Sequence, residues 1–388
     1  MILKQHPWQA LTILIFSALV LANGLVNPRQ NWDMIGYTAS ILHLEGARGA
    51  QLHEATYADV RASVDDEKWR ELTEDILYRT LTHQDPQFFE RQVAFYQGRY
   101  LYLATVRALS LFTDTISSAI ALTGALAGAV FALLFGGALL GSNWRIFALF
   151  PVALLVFQLP KVAALATPDL LAAVAALGIV LCWNKRRNWA LALIVLLPLI
   201  RTNFIIFITL LMLWQLCDDW VKVRNSQKAS PKWEYLAYAG ALLSYLMANT
   251  LSEHPGYLAL FNFIFIVHNT PELLRVFAGG GDIPISAQLS DYWPPYARTI
   301  EYILAAWRRT LFRLVLLGVV GYKLIQNFRQ GNFWKSENGF LMAAVLFAAA
   351  HIVLLHDLSL RFFFFSNVLT ALILLQWGAE KWSLRAGR

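Results

Sequence analysis

Cysteine is nearly absent from this chain: Cys182 and Cys217 are the only two in 388 residues. Two thiols build no disulfide framework and are too few for a cysteine-based metal site. Charge is sparse as well. Asp, Glu, Lys and Arg make up 15% of the residues, against about 25% in a soluble domain. Nucleotide and ester-handling signatures are missing too. There is no Gly-x-Ser-x-Gly, no Walker loop and no Gly-x-Gly-x-x-Gly, which argues against an ATP-driven pump and a soluble-type nucleotide enzyme. No two histidines stand at His-x-x-x-His spacing, and no internal repeat recurs at a fixed period.

Apolar residues are present in excess, at 57% of the chain. They gather into blocks long enough to cross a hydrocarbon core, which takes roughly 20 residues of helix. Backbone groups find no water there, so such blocks must be helical. The expected fold is an all-α polytopic membrane protein of about ten transmembrane helices, with amphipathic helices in its outer loops. Residues 1–388 would form a single integral membrane domain. The formal charge of +7 does not point to nucleic acid, because of where it lies. Residues 28–98 hold 12 Asp/Glu against 7 Lys/Arg, and the rest of the chain holds 25 Lys/Arg against 13 Asp/Glu. A basic remainder alternating with apolar blocks is the pattern that orients a chain in a membrane.

Positive charge threads the blocks. Lys4 before the first block, 8–26, places the N-terminus in the cytoplasm, and the block is read as a retained span. Residues 28–114 form a large outer loop that ends in an apolar stretch, 88–112. That stretch is read as interfacial, since making it a span would put Lys185-Arg186-Arg187 outside. Blocks near 117–140, 146–163 and 169–183 follow. Block 189–216 is too long for one span and is read as a helical pair turning at Arg201-Thr202-Asn203. A span at 233–251 leads to a second outer loop, 252–299, and three more spans lie near 300–325, 338–356 and 361–379. Both termini are then cytoplasmic, in what is expected to be a bacterial inner membrane.

Ionisable residues near membrane depth are costly to bury and mark function by default. This threading brings Asp33, Asp169, Arg201, Asp357 and Arg361 to the outer ends of spans. Each has an ordinary reading as a helix cap or a snorkelling side chain, and their common side favours a shared site. Asp33, in Asn31-Trp32-Asp33-Met34-Ile35-Gly36-Tyr37, suits a general base and equally an N-cap. Asp169 follows Pro168, and two carboxylates at one face can share a divalent metal, Mg or Mn. Arg201 interrupts an apolar run and suits a phosphate; the alternative is an ion pair with Asp169. His356 and Arg361 suit a phosphate, unless Asp357 neutralises Arg361. In the second outer loop Glu253-His254, His268, Asp282 and Asp291 are polar. The aromatic run 292–296 reads first as a membrane-interface belt.

These motifs in this order resemble the type C (GT-C) glycosyltransferases, which use polyprenyl-phosphate sugars at the outer or lumenal face. Gln97-Gly98-Arg99-Tyr100-Leu101-Tyr102 is similar to the Arg-Pro-x-Leu-Tyr opening of that family's loop helix, without the proline. Thr167-Pro168-Asp169-Leu170-Leu171 resembles its second acidic motif, Leu199-Ile200-Arg201-Thr202-Asn203 its basic turn, and Arg361-Phe362 a late Arg-Tyr. The first motif carries one Asp where several members have an acidic pair. The resemblance implies Asp33 and Asp169 as catalytic residues and possible metal ligands. It implies Tyr37, Arg99, Tyr100, Arg201, Asn203, His356 and Arg361 as substrate-binding. The implied partner is a lipid-linked sugar donor, with a lipid or glycan acceptor. A polysaccharide polymerase or ligase, working through Arg99, Arg275 and Arg298, is the first alternative. A lipid or sugar transporter is the second, although no inverted repeat supports it.

Overall fold

The computed structural model describes residues 5–229, 232–283, 290, 293–305, 307–355 and 359–386. Among these residues every regular element is a helix, and the one strand-like contact is a single bridge between Arg29 and Leu165. Five helices are long and apolar enough to cross a membrane: Pro7–Val26, Ile116–Ala138, Thr202–Arg224, Ser336–Leu354 and Arg361–Ser383. Large apolar side chains stand exposed along them, such as Trp8, Leu14 and Leu19 on the first. Apolar surface of that extent needs lipid or another chain against it.

Shorter apolar helices accompany the five. Asp169–Cys182 and Arg187–Ile200 have 14 residues each, which rise only about 21 Å at 1.5 Å per residue. The block expected as one span at 146–163 is instead three pieces, Trp144–Phe147, Leu149–Val156 and Leu159–Ala163. Gln158 adopts a left-handed φ of 57° between the last two. Pro160 follows it at the start of the last piece, where a proline is tolerated but cannot continue a helix from behind. The 88–112 stretch also breaks, at Gly98–Arg99, into Pro86–Gln97 and Tyr100–Leu109. Neither piece is long enough to span.

The helical pair expected around Arg201-Thr202-Asn203 is present. Arg187–Ile200 ends at extended Arg201, a 3₁₀ turn covers Thr202–Phe204, and Ile205–Arg224 leads away. The second helix returns to the start of the first. Arg187 pairs with Glu234 at 2.6 Å, while Asp219, near the end of the second, accepts from the neighbouring Tyr235. Close packing between helices rests on small residues. A Cβ on Gly128 would lie 2.5 Å from the Ala163 Cβ and 2.9 Å from Val20.

Two ends of the bundle are distinct. Asp169–Cys182 and Arg361–Ser383 both start at one end and carry Trp183 and Trp382 to the other. That second end holds the Gln9–Ser142 hydrogen bond at 3.0 Å, Arg145 over Trp382 and the Arg187–Glu234 pair. The first end is capped by the two long loops, which pack on each other. Phe88 meets Phe277, Phe95 stacks on Phe263, and Arg91 donates to the carbonyls of Phe277 and Ala278. Among the described residues, the segments around 86–97 and 263–281 therefore meet at one end.

Candidate functional site

The first two sequence motifs are tied together by one side chain. The amide of Asn31 accepts from the Ala166 backbone N–H and donates to Asp33 Oδ2, both at 2.9 Å. The Arg29 N–H adds a bond to the Ala164 carbonyl at 2.7 Å. Asp33 therefore opens its helix within reach of the Thr167-Pro168-Asp169 turn. It is not the cap it resembled in sequence: Trp32 occupies that position and makes no side-chain cap bond. Its carboxylate instead accepts from Arg361, 328 positions away. Asp169 also opens its helix, behind Pro168, and lies beside Arg201 Nε at 2.9 Å. The contact is close but not aligned as a hydrogen bond, and Asp169 Oδ2 is buried with no hydrogen-bond partner.

The two ion pairs are neighbours. The guanidinium carbons of Arg201 and Arg361 stand 5.2 and 4.7 Å from the centre of the Phe362 ring. Asp33 and Asp169 are thus the ends of one chain of contacts rather than two faces of a gap. Asp33 lines a cavity of about 200 Å³ together with Tyr37, Arg99, Arg201, Asn203 and Arg361. Asp169 is not part of that lining and sits behind Arg201. At about 30 Å³ per water, the space admits one compact headgroup.

Charge in the cavity is unbalanced. Arg361 and Arg201 each face a carboxylate. Arg99 has no carboxylate within ion-pair distance among the described residues. Its guanidinium donates to the Phe95 carbonyl at 2.8 Å and lies over the Tyr37 and Tyr96 rings at 5.3 and 5.7 Å. Its Nε is buried and unpartnered, as is Asn203 Oδ1. Burial pushes the Asp33 carboxyl up, but Arg361, Arg99 and Arg201 together outweigh it and hold Asp33 below its ordinary value. Burial raises the Tyr37 phenol to about 12, so it stays protonated and can donate. Burial and then Arg99 lower His254 to about 4, so the imidazole is neutral.

Seven of the nine candidate residues belong to this assembly: Asp33, Tyr37, Arg99, Asn203, Arg201 and Arg361 in the lining, and Asp169 behind it. Tyr100 does not line the cavity. His356, Asp357, Asp291 and Tyr292 lie outside the described residues. Sequence reasoning missed Asn31, Gln92, Tyr78 and Tyr96, and gave no role to His254, which lines the cavity. Asn31 was legible only as part of a motif, Gln92 and Tyr96 stand in the stretch read as apolar and interfacial, and Tyr78 and His254 stand in loops without spacing to mark them. Gly36 was also missed: a Cβ there would meet the Tyr96 ring at 2.6 Å, so the glycine lets that ring close the cavity.

A divalent metal shared by Asp33 and Asp169 does not suit this donor set. Each carboxylate is already matched by its own arginine, and among the described residues no group of three His, Cys, Asp or Glu side chains gathers. No known protein family, curated relative or solved structure matches this chain.

Proposed function

We propose that this chain is a GT-C-type membrane glycosyltransferase that moves a sugar from a polyprenyl-phosphate donor to a lipid or glycan acceptor. The observation that carries the reading is Arg99. A guanidinium without a carboxylate partner, in a cavity whose other two arginines are already matched, calls for an anion. A phosphate fits, and a lipid carrier would reach it from the bilayer.

The reading assigns a step to each side chain. The acceptor hydroxyl gives its proton to Asp33 as its oxygen bonds to the sugar's anomeric carbon. The bond from that carbon to the donor phosphate breaks, and the phosphate keeps the electron pair. It leaves with one more negative charge than it carried in the donor. Arg99 and Arg201 face that growing charge, which is where preorganised donors lower a barrier most. Arg361 links the two events. When a phosphate draws its guanidinium away, Asp33 loses its strongest cation and becomes a better base. Tyr37 donates to the phosphate.

The proposed threading has ten traverses, five through the long helices and the rest through shorter or more polar ones. The end holding Asp33 faces the periplasm, and the end rich in Lys and Arg faces the cytoplasm with both termini. The test is transfer of labelled sugar from polyprenyl-phosphate donors by the purified chain in lipid. Asp33→Asn should lower turnover about 10²- to 10⁴-fold. A well-folded Asp33→Asn with parental transfer would refute the base and favour the polymerase or ligase reading, which relies on arginines. No transfer from any such donor would overturn the enzyme.

A further inference from the structure

A second group of buried polar side chains lies at the other end of the bundle. The Asp169–Cys182 helix separates the two by about 20 Å. Here Trp183, Trp214 and Trp334 line a cavity of about 380 Å³, within the ~300–1,000 Å³ usual for small-ligand pockets. Its buried and half-buried charged groups are matched among themselves, while Lys228, also in the lining, is exposed. Arg187 pairs with Glu234 at 2.6 Å, and Lys222 with Asp218 at 2.6 Å. Those two pairs balance, and Lys228 keeps its charge in solvent.

Two polar atoms are left over. Glu234 and Tyr238 are each 4% exposed and both line the cavity. They stand four residues apart on the Lys232–Leu251 helix, and so on one face of it. Glu234 Oε1 is taken by Arg187, but Oε2 is buried with no hydrogen-bond partner, and so is the Tyr238 hydroxyl. Buried polar atoms of this kind are costly to leave unmatched. Oε2 can only accept, so its missing partner is a donor. The tyrosine hydroxyl can donate or accept. A donor for Glu234 with a second polar group for Tyr238, beside indole rings, describes a polyhydroxylated ring. Its hydroxyls answer the two orphans and its C–H face answers the tryptophans.

We infer that this cavity binds a polyhydroxylated ring of the monosaccharide or cyclitol class. The inference does not rest on the chemistry proposed for the Asp33 cavity and stands or falls separately. The test uses the full chain in lipid nanodiscs and saturation-transfer NMR. Free D-glucose, D-mannose, N-acetyl-D-glucosamine and myo-inositol form one arm. Nanodiscs containing monoglucosyl diacylglycerol form the other. Saturable binding in the first arm identifies a soluble ligand, and in the second alone a glycolipid headgroup; either supports the site. Tyr238→Phe should weaken binding about fivefold, the loss of one hydrogen bond. It should not lower the ligand-free thermal midpoint, because the hydroxyl has no protein partner to lose. Glu234→Gln should weaken binding further. If that variant fails to fold by stranding Arg187, Tyr238→Phe decides alone. No saturable binding in either arm would overturn the inference, as would binding that Tyr238→Phe leaves unchanged.

Discussion

Arg201 and Arg99 share a cavity, yet replacing each with glutamine should cost the fold very different amounts. Arg201→Gln removes the cation beside Asp169, which is 5% exposed. Breaking a buried pair by deleting one partner costs about 3–5 kcal/mol, because the other charge is left uncompensated. Arg99→Gln deletes a charge that has no carboxylate partner. It loses two ring contacts worth about 0.5–1 kcal/mol each at partly exposed sites and one carbonyl bond, but it also removes the cost of holding an unmatched cation. The two effects nearly cancel, leaving a net change within about 1 kcal/mol. The assay is reversible denaturation of the chain in nanodiscs, with the double variant Asp169→Asn/Arg201→Gln alongside. That double variant should regain at least half of what Arg201→Gln loses, since neither charge remains. If Arg201→Gln destabilises no more than Arg99→Gln, or if the double variant is no better than the single one, the pairing described here is wrong.

Three further outcomes are expected. Asn31→Asp places a second carboxylate beside Asp33 Oδ2 and should weaken both donor binding and thermal stability, whereas Asn31→Gln should lose less; equal effects would remove Asn31 as the clip between the two motifs. Gly36→Ala should push the Tyr96 ring and cost about 1–3 kcal/mol, as overpacking does; a variant as stable as the parent would mean the ring moves freely. His254 is held near 4 when folded and titrates near 6.5 when unfolded, so the unfolded chain binds the extra proton between those values. Stability should be full above about pH 6.5 and should fall as pH drops toward 4. His254→Gln should flatten that slope, and an unchanged slope measured by denaturation at each pH would assign it elsewhere.

The parts of the site that sequence made legible were those with a local signature. Asp33, Asp169, Arg201 and Arg361 each interrupt or border an apolar block, and burying a charge there is costly enough to mark it. The turn at Arg201-Thr202-Asn203 was legible because an apolar run of that length exceeds one crossing and contains Pro198. Partner choice was not legible. Arg361 had Asp357 close by in sequence and Asp33 328 positions away, and only the folded chain brings the distant one into contact. The alternative of an Arg201–Asp169 pair was visible, but nothing in spacing favoured it. The 146–163 block read as one span because hydropathy does not register a left-handed residue such as Gln158. The indole-lined cavity at the far end was missed because its carboxylates lie beside basic residues, and such clusters read as a solvated loop.

The proposed function requires that the one positive charge Arg99 leaves in excess in the Asp33 cavity be met by a lipid-borne phosphate. Titrating polyprenyl phosphate into nanodiscs that hold the parent chain, read by native mass spectrometry, tests this directly. The account predicts one bound carrier per chain, retained by Tyr100→Phe and lost in a well-folded Arg99→Gln. A parent that binds no carrier, or an Arg99→Gln chain that binds it as tightly as the parent, would contradict it.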